Sequence, residues 1–202
     1  MEMEILEQWP VRDEIKIAKV EKLPEKEYLE QINKHLLETY PSLPWRDQLD
    51  EQRKGQLKEL KQRVKDRYEI RLALLDGNKM IGWSYGWQDS VHHGDFYMAA
   101  SLVLPEYRHQ GLYSTLVKKI LEETKKEGFS ALRSRHVMTN SPVIIAKLKL
   151  GFTINGFEQD ETMGTLIRMI YHHDEVRKNA TEFRAGNIHH RDVLEQLTPT
   201  VQ

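Results

Sequence analysis

The residues whose types and spacing could do chemistry are concentrated in the stretch SLVLPEYRHQGLYSTLVKKIL, residues 101–121. An apolar run with strand character ends at Pro105, and apolar residues at helical spacing begin at Leu112. The first amides of a helix have no partners within the helix, and they attract anions. Gly111 lets an anion approach the backbone, and Arg108 adds positive charge beside it. The pattern therefore indicates either a phosphate-binding turn or an ordinary turn with a solvated arginine.

Composition limits the classes of protein to which this chain can belong. Its 202 residues are 39% hydrophobic and 30% charged, which is typical of a soluble globular protein. The formal net charge of −1 gives no overall attraction to nucleic acid or to an anionic membrane, so we expect neither as a partner. The absence of cysteine excludes disulfides, thiolate metal sites and a cysteine nucleophile. The acidic N-terminus MEMEILEQWPVRDE lacks the apolar core of a signal peptide, so we expect a cytoplasmic protein.

Hydrophobic periodicity predicts a mixed α/β protein of the α+β kind. Alternating residues predict strands, apolar residues at three- and four-residue spacing predict helices, and DGN at 76–78 predicts a hairpin. The order is one strand, two helices, three strands, a helix, a strand, a helix and two strands, which favours a largely antiparallel sheet flanked by helices. The predicted strands lie at 14–20, 69–76, 79–87, 95–104, 130–138, 152–158 and 164–172, and the predicted helices at 25–39, 47–66, 112–127 and 141–151.

The sequence becomes strongly polar from about residue 172. We therefore divide the chain into a domain at 1–171 and a C-terminal extension at 172–202. The extension is predicted to contain a short helix near 189–197 that packs on the domain or on a partner subunit. Exchange of this arm within a homodimer is one arrangement that its composition allows.

Two motifs at a fitting separation resemble the GNAT superfamily of acetyl-CoA-dependent acyltransferases. The first, VLPEYRHQGLY, resembles the superfamily's Arg/Gln-x-x-Gly-x-Gly/Ala pattern after a strand that ends Val-x-Pro. The second, NSPVIIAKLKLGF, is similar to a helix that begins near an asparagine and ends Gly-Phe. The resemblance covers about 70–171, and its matching residues are Val103, Pro105, Arg108, Gly111, Asn140, Gly151 and Phe152.

The resemblance implies the GNAT fold, acetyl-CoA as donor and a primary amine as acceptor. It implies that main-chain groups of Leu102 and Leu104 pair with the pantetheine arm, and that an amide near Val103 donates to the oxyanion. It further implies that Arg108 opens the pyrophosphate turn and that Asn140 binds pantetheine or a water beside it. The amides that would hold the pyrophosphate belong to His109, Gln110, Gly111, Leu112 and Tyr113.

Two residues depart from the superfamily's pattern. Tyr113 replaces the usual small residue at the end of the turn, where its ring either packs along the cofactor or acts as an acid. Lys147 stands seven residues after Asn140, where the superfamily often has a tyrosine that protonates the departing thiolate. A helical lysine is most often solvated, so we expect a solvated Lys147, with proton donation as the alternative.

The base that accepts the proton of the amine is sought on the strand at 95–104. Strand alternation puts Asp95, Tyr97, Ala99 and Ser101 on one face of this strand. No histidine or carboxylate occurs from residue 97 to residue 101, where superfamily members often place one. The candidate catalytic groups are therefore Asp95, or a water held by Tyr97 and Ser101, because binding alone can orient an amine for attack.

Aromatic and histidine side chains add further candidates. Trp83, Tyr85 and Trp87 alternate along one strand and share a face, either as core or as an aromatic wall for the acceptor. His92 and His93 are expected to line the acceptor entrance. Adjacent residues point in different directions and rarely ligate one ion, so no metal is expected from the paired histidines at 92–93, 172–173 and 189–190.

Taken together, the motifs predict an N-acetyltransferase that moves an acetyl group from acetyl-CoA to a primary amine by direct attack on the thioester. The acceptor would be a small molecule or a peptide. The alternative is an acyl-CoA-binding, regulatory module of the same fold with little turnover. The missing tyrosine and the lack of an obvious base motivate that alternative.

Overall fold

The structure, a computed structural model, describes residues 3–37, 49–62, 67–89 and 94–186. Its strands are β1 (Ile5–Arg12), β2 (Ile15–Val20), β3 (Glu69–Asp76), β4 (Lys79–Gln88), β5 (Asp95–Val103), β6 (Ala131–Val137), β7 (Thr153–Asp160) and β8 (Gly164–His172). They form one eight-stranded sheet in the order β1-β2-β3-β4-β5-β6-β8-β7. All neighbouring pairs are antiparallel except β5 and β6, which are parallel. The predicted fold class, a mixed and largely antiparallel sheet flanked by helices, is confirmed.

Helices cover both faces of this sheet. They are α1 (Glu25–Ile32, continued by a π-helical turn at Asn33–Leu37), α2 (Glu51–Gln62), α3 (Leu112–Lys126), α4 (Ser141–Lys149) and α5 (Glu175–Arg184). The α1 helix lies on the face that carries Trp83, since the rings of Tyr28 and Trp83 are 4.7 Å apart. The α3 helix lies on the opposite face, where Glu123 accepts a hydrogen bond from Lys19 of β2. No helix in the described ranges is long and apolar enough to cross a membrane.

The core follows the hydrophobic pattern of the sequence. On α3, Leu112, Leu116 and Ile120 are buried against the sheet, as their spacing predicts. Each large aliphatic side chain that is buried in this way contributes roughly 1.5–3 kcal/mol to stability. The predicted hairpin is also confirmed, because β3 and β4 pair across the turn at Gly77.

Two elements were not predicted from the sequence. The first, β1, carries Pro10 and two charged residues, Glu7 and Arg12, and lies at the edge of the sheet, where none of them disrupts pairing. The second, α5, begins at Asp174, whose carboxylate accepts hydrogen bonds from the amides of Val176 and Arg177. The helix predicted near 189–197 lies outside the described residues.

The parallel pair β5 and β6 positions the candidate site. These strands pair at Asp95↔Ala131, Phe96↔Leu132 and Tyr97↔Arg133. Each strand then continues, β5 to Val103 and β6 to Val137, while the two diverge. We call the opening between β5 and β6 beyond Tyr97 and Arg133 the fork.

Candidate active site

The turn between β5 and α3 presents unpaired backbone amides at the wide end of the fork. A short 3-10 helix at Pro105–Tyr107 leads into it, and His109 and Gly111 have φ angles of 58° and 77°. Within the described part of the chain, the amides of residues 109–114 donate to no backbone acceptor. A Cβ at Gly111 would meet no described atom within 4 Å. Such a concave row of free amides at a helix N-terminus suits a phosphate group.

Arg108 ties this turn to the end of β5. Its Nε donates a hydrogen bond to the carbonyl of Val103 at 3.0 Å. Gln110 is held from both sides, since it accepts a bond from Arg12 and donates one to the carbonyl of Glu106. The turn is therefore braced by side chains, while its amides remain free.

The main-chain groups that face the fork differ from those expected. The amide of Leu104 donates to the carbonyl of Ile81 on β4 at 2.9 Å. Because successive residues of a strand point their main-chain groups to opposite neighbours, those of Leu102 also face β4. The groups of Ser101 and Val103 face the fork instead. The amide of Val103 therefore faces the fork, whereas those of Leu102 and Leu104 face β4.

A cavity of about 220 Å³ occupies the fork. Met98 and Ser101 of β5, His136 of β6, Tyr113 of α3 and Asn140 before α4 are among its lining residues. The side chain of Asn140 makes no capping hydrogen bond within the described chain, so its side-chain amide is available to a ligand. Burial raises the pKa of the Tyr113 phenol, which keeps it protonated at neutral pH. The ring of Tyr113 lines the fork cavity.

A β-bulge corrects the predicted faces of β5. Opposite β4, Tyr85 pairs with Ala100, but the next residue, Gly86, pairs with Met98, so Ala99 is an extra residue. The bulge reverses the alternation, so that Tyr97 and Ser101 lie on opposite faces. The hydroxyl of Ser101 instead lies 2.6 Å from that of Ser84 on β4. The two residues predicted to hold one water thus lie on opposite faces of β5, although both line the fork cavity.

Asp95 is engaged in a buried ion-pair cluster. Its side chain has no exposed surface and accepts bonds from Arg133 Nε at 2.5 Å and from Arg177 Nη1 at 2.5 Å. Burial opposes ionisation of Asp95, but the hydrogen bonds from Arg177 and Arg133 outweigh it and lower its pKa. A carboxylate that is covered and doubly paired is a poor proton acceptor for a bound amine. The geometry favours a structural role for Asp95 over the catalytic one expected.

A second cavity, of about 440 Å³, opens beside the vertex of the fork. It shares Tyr97 and Arg135 with the fork cavity, so the two cavities are neighbours that meet at these residues. Arg135 donates from Nε to the Tyr97 hydroxyl at 2.8 Å and from Nη1 to Glu158 at 2.5 Å. Arg168 also lines this cavity, and no carboxylate of the described residues pairs with it.

Sequence reasoning missed the polar residues of this second cavity. Arg135, Glu158 and Arg168 come from three different strands, and they meet because β6, β8 and β7 are neighbours. A signal was present in FEQD, where Glu158 and Asp160 alternate onto one face of a strand, and in the single charge, Arg168, of the otherwise apolar GTLIRMIY. The sequence did not reveal that this face borders the fork.

The three aromatic residues of β4 divide between the two roles considered. Trp83 is fully buried and packs against Tyr28, so it belongs to the core. Trp87 lines the larger cavity, and its ring lies 5.4 Å from that of Tyr97. Tyr85 lies between them, 5.3 Å from Trp87. The shared face is confirmed, with core at one end and a cavity wall at the other.

Lys147 is buried, which contradicts the expectation of a solvated residue. Its side chain has no exposed surface, and its Nζ donates to the hydroxyl of Ser134 at 2.7 Å. Burial lowers the pKa of Lys147 to about 7. Burial and the neighbouring Lys147 lower the pKa of His136 to about 3, so this histidine is neutral at pH 7.

Histidines with carboxylates do not form a metal-binding cluster anywhere in the described ranges. His173 bonds to the Thr124 hydroxyl at 3.0 Å, while its neighbour His172 is buried. The pairs at 92–93 and 189–190 lie outside the described residues, so the expected role of His92 and His93 at the acceptor entrance stays a prediction.

Solved structures share this fold. A Salmonella typhimurium protein described as an acetyltransferase, with its cofactor acetyl-CoA, is 16% identical, with a TM-score of 0.57 over 81% of this chain and 96% of that one. A spermidine N-acetyltransferase chimera from Vibrio cholerae and hSSAT is 16% identical, with a TM-score of 0.56 over 79% and 96%. An IAA acetyltransferase from Bacillus cereus is 16% identical, with a TM-score of 0.54 over 78% and 99%.

The family of the chain is shown by its match to a protein family rather than by its likeness to solved structures. Residues 29–152, more than half of the chain, match the acetyltransferase (GNAT) family. This range includes the amide-rich turn, the fork and Lys147, and it ends at Phe152, the last residue of the second motif. The chain is a member of the GNAT acetyltransferase family.

Proposed function

We propose that this protein transfers the acetyl group of acetyl-CoA to a primary amine, acting as an N-acetyltransferase. The observation that carries the proposal is that three features follow one another along β5. These are the free amides of residues 109–114, the fork cavity and the larger cavity that meets it at Tyr97. A donor held in the fork and an amine held in the larger cavity would meet at that residue.

The residues of the fork fit acetyl-CoA by their chemistry. The free amides of 109–114 and Arg108 would hold the pyrophosphate. The open main-chain groups of Ser101 and the amide of Val103 would pair with the amides of the pantetheine arm, while the Val103 carbonyl stays bonded to Arg108. Asn140 would bind the arm from the other side. The thioester is the reactive group that acetyl-CoA supplies when bound. A backbone amide facing the fork would stabilise the negative charge that develops on its carbonyl oxygen.

The amine must lose a proton as it attacks the thioester. Asp95 is covered, and Ser101 lies on the wrong face. Tyr97 and Glu158 both bond to Arg135 and both line the larger cavity, so we propose that water between them accepts this proton. Much of the rate would then come from orientation of the amine against the thioester.

The charges of the larger cavity narrow the acceptor class. Arg133 is paired with Asp95, and Arg135 with Glu158, whereas Arg168 pairs with no carboxylate among the described residues. An acceptor that carries a carboxylate at a distance from its amine would satisfy Arg168. We therefore propose that the acceptor is an amino acid or another amine that carries a carboxylate, in preference to a polyamine.

The test is amine-dependent release of coenzyme A from acetyl-CoA, followed with a thiol reagent. The screen contains amino acids, their amides, which lack the carboxylate, and polyamines. Faster release with at least one primary amine supports the transfer, and a preference for acids over amides supports the role of Arg168. An Arg168→Leu variant should lose that preference. Release that no amine accelerates would contradict the proposed transfer.

The second candidate is a module that binds acyl-CoA without efficient turnover. The burial of Asp95 favours it, since the described part of β5 then offers no exposed carboxylate. Both candidates require binding of acetyl-CoA. Amine-dependent turnover therefore separates them.

A further inference from the structure

We infer that Lys147 is the acid that protonates the thiolate of coenzyme A as it departs. This inference rests on the proposed acetyl transfer. It assigns a catalytic role to a buried side chain that has no counter-ion among the residues the structure describes.

The position of Lys147 relative to the fork is the first argument. Pairing between β5 and β6 ends at Tyr97↔Arg133, and the next residue of each strand is Met98 and Ser134. The Nζ of Lys147 lies 2.7 Å from the Ser134 hydroxyl and 3.3 Å from the Met98 sulfur. The amino group therefore lies at the vertex of the fork, bridging the two strands where they separate.

The distance along β5 is the second argument. The turn that carries the free amides of residues 109–114 follows Leu104. Leu104 is six residues from Met98, which is about 20 Å of extended strand. A cofactor held by its pyrophosphate at the turn, with its arm extended along the open edge of β5, points its thioester end toward Met98. Lys147 then lies next to that end, where its Nζ contacts the Met98 sulfur and the Ser134 hydroxyl.

The surroundings of Lys147 are the third argument. Its other contact is the ring of Phe152, 4.5 Å from Nζ, and no carboxylate of the described residues pairs with it. The titratable group that faces it is His136, whose Nε2 lies 3.1 Å from the Ser134 hydroxyl. An unpaired buried ammonium costs stability, and hydrophobic residues of similar volume fill such sites at lower cost. A pKa of about 7 makes this lysine an acid matched to neutral pH.

The proposed step balances in atoms and charge. The amine nitrogen bonds to the carbonyl carbon, the C–S bond breaks, and its electron pair goes to sulfur. A proton moves from the Lys147 ammonium to that sulfur, giving the free thiol and a neutral lysine. The proton that the amine loses to water later restores the ammonium, so the net reaction moves one proton from nitrogen to sulfur.

The first experiment measures the pH dependence of coenzyme A release for wild type, Lys147→Met and Lys147→Arg. Lys149→Met, an exposed lysine of the same helix, is the matched control. The probe amine is methoxyamine, which is uncharged across the neutral and alkaline range, together with the best amine of the screen. We expect the wild-type kcat to fall as pH rises above about 7. In Lys147→Met, kcat should be lower by about 100-fold or more and should no longer fall above about pH 7. Lys149→Met should change neither the value of kcat nor its pH dependence.

The second experiment changes the leaving group of the donor. A thioester whose thiol is a strong acid, such as the acetyl ester of nitrothiophenol, leaves without a proton. Its turnover by wild type should not fall as the pH rises above neutral. The Lys147→Met variant should turn it over at nearly the wild-type rate. If turnover of this donor still fell with rising pH, the inference would be overturned.

A third readout does not depend on turnover. In protein with 13C-labelled lysine, one side-chain signal that is missing from Lys147→Met should titrate near pH 7. Absence of such a signal, or an unchanged pH profile in an active Lys147→Met, would refute the role of Lys147. Failure of wild type to release coenzyme A with any amine would instead refute the proposed function, so the two failures are distinguishable.

Discussion

Single residues shape the turn before α3, where we propose that the pyrophosphate binds. The positive φ of Gly111, 77°, turns the chain so that the following amides point into open space. A residue with a Cβ would be strained there, and an acidic one would place negative charge among those amides. The pyrophosphate proposal therefore depends strongly on this position.

We expect Gly111→Asp to abolish acetyl-CoA binding, measured by calorimetry. The matched control is Gly128→Asp, because Gly128 also has a positive φ, 84°, and open space, but lies at the other end of α3. The two variants share the backbone strain and differ in the anion site. Equal affinities in the two variants would contradict the assignment of the phosphate site.

Lys147 gives a second prediction at this scale, on stability. Its pKa is about 7 in the folded protein and 10.5 for a solvated lysine, so the unfolded chain binds the extra proton between these values. Stability should therefore rise with pH, by about 1.4 kcal/mol per pH unit, between pH 7 and 10.5. Urea unfolding of wild type and Lys147→Met across this range measures the difference. A difference that is independent of pH would show that the lysine does not titrate there.

The sequence predicted the strand-to-helix turn that contains Arg108 and Gly111, because a turn is a local feature. It did not predict the burial of Lys147, because α4 carries apolar residues around much of its surface. Ile145 and Leu148 are exposed, whereas Lys147 is covered. Which side of such a helix faces the sheet depends on tertiary contacts with β5 and β6, which periodicity alone does not reveal.

At the scale of elements, the bulge of β5 and the divergence of β5 from β6 shape the site. Gly86 lies opposite the bulge, and a Cβ there would meet the Tyr97 carbonyl, the Phe96 ring at 2.6 Å and Met98 Cα at 3.0 Å. The close approach of β4 to the bulged strand therefore requires glycine. A bulge of this kind leaves no mark in simple alternation, which is why Tyr97 and Ser101 were predicted on one face.

Gly86→Ala should destabilise the protein by about 1–3 kcal/mol and weaken acetyl-CoA binding, since β5 must shift at the narrow end of the fork. Gly55→Ala is the control, because Gly55 lies in α2 with no described atom near its Cβ position. That substitution should raise stability by up to about 1 kcal/mol without changing affinity. Thermal unfolding and calorimetry measure both effects. An unaffected Gly86→Ala would argue against a rigid bulge.

At the scale of the whole molecule, one carboxylate joins three elements. Asp95 of β5 binds Arg133 of β6 and Arg177 of α5, and so attaches the polar helix to the sheet beside the vertex of the fork. The sequence identified Asp95 as a residue of interest but gave its partners no weight. Arg177 lies 82 residues away in a segment whose composition indicated only an extension.

We expect Asp95→Asn to lower the free energy of unfolding by about 3 kcal/mol, because it leaves two partly buried arginines without their charge partner. The pKa of Asp95 is lowered in the folded state, so its contribution is present above about pH 4 and is lost as the pH falls through the folded value. Denaturant unfolding at neutral and acidic pH tests this. If Asp95 were instead the catalytic base, Asp95→Asn would remove turnover from protein that is fully folded.

The most direct test of the central claim is a calorimetric titration of the purified protein with acetyl-CoA, with adenosine diphosphate as a control ligand. We predict micromolar binding of acetyl-CoA, with weaker binding of the diphosphate, since both would occupy the free amides but only acetyl-CoA would also fill the fork. Absence of heat up to millimolar acetyl-CoA would show that the fork does not bind the donor. It would contradict the account of this site.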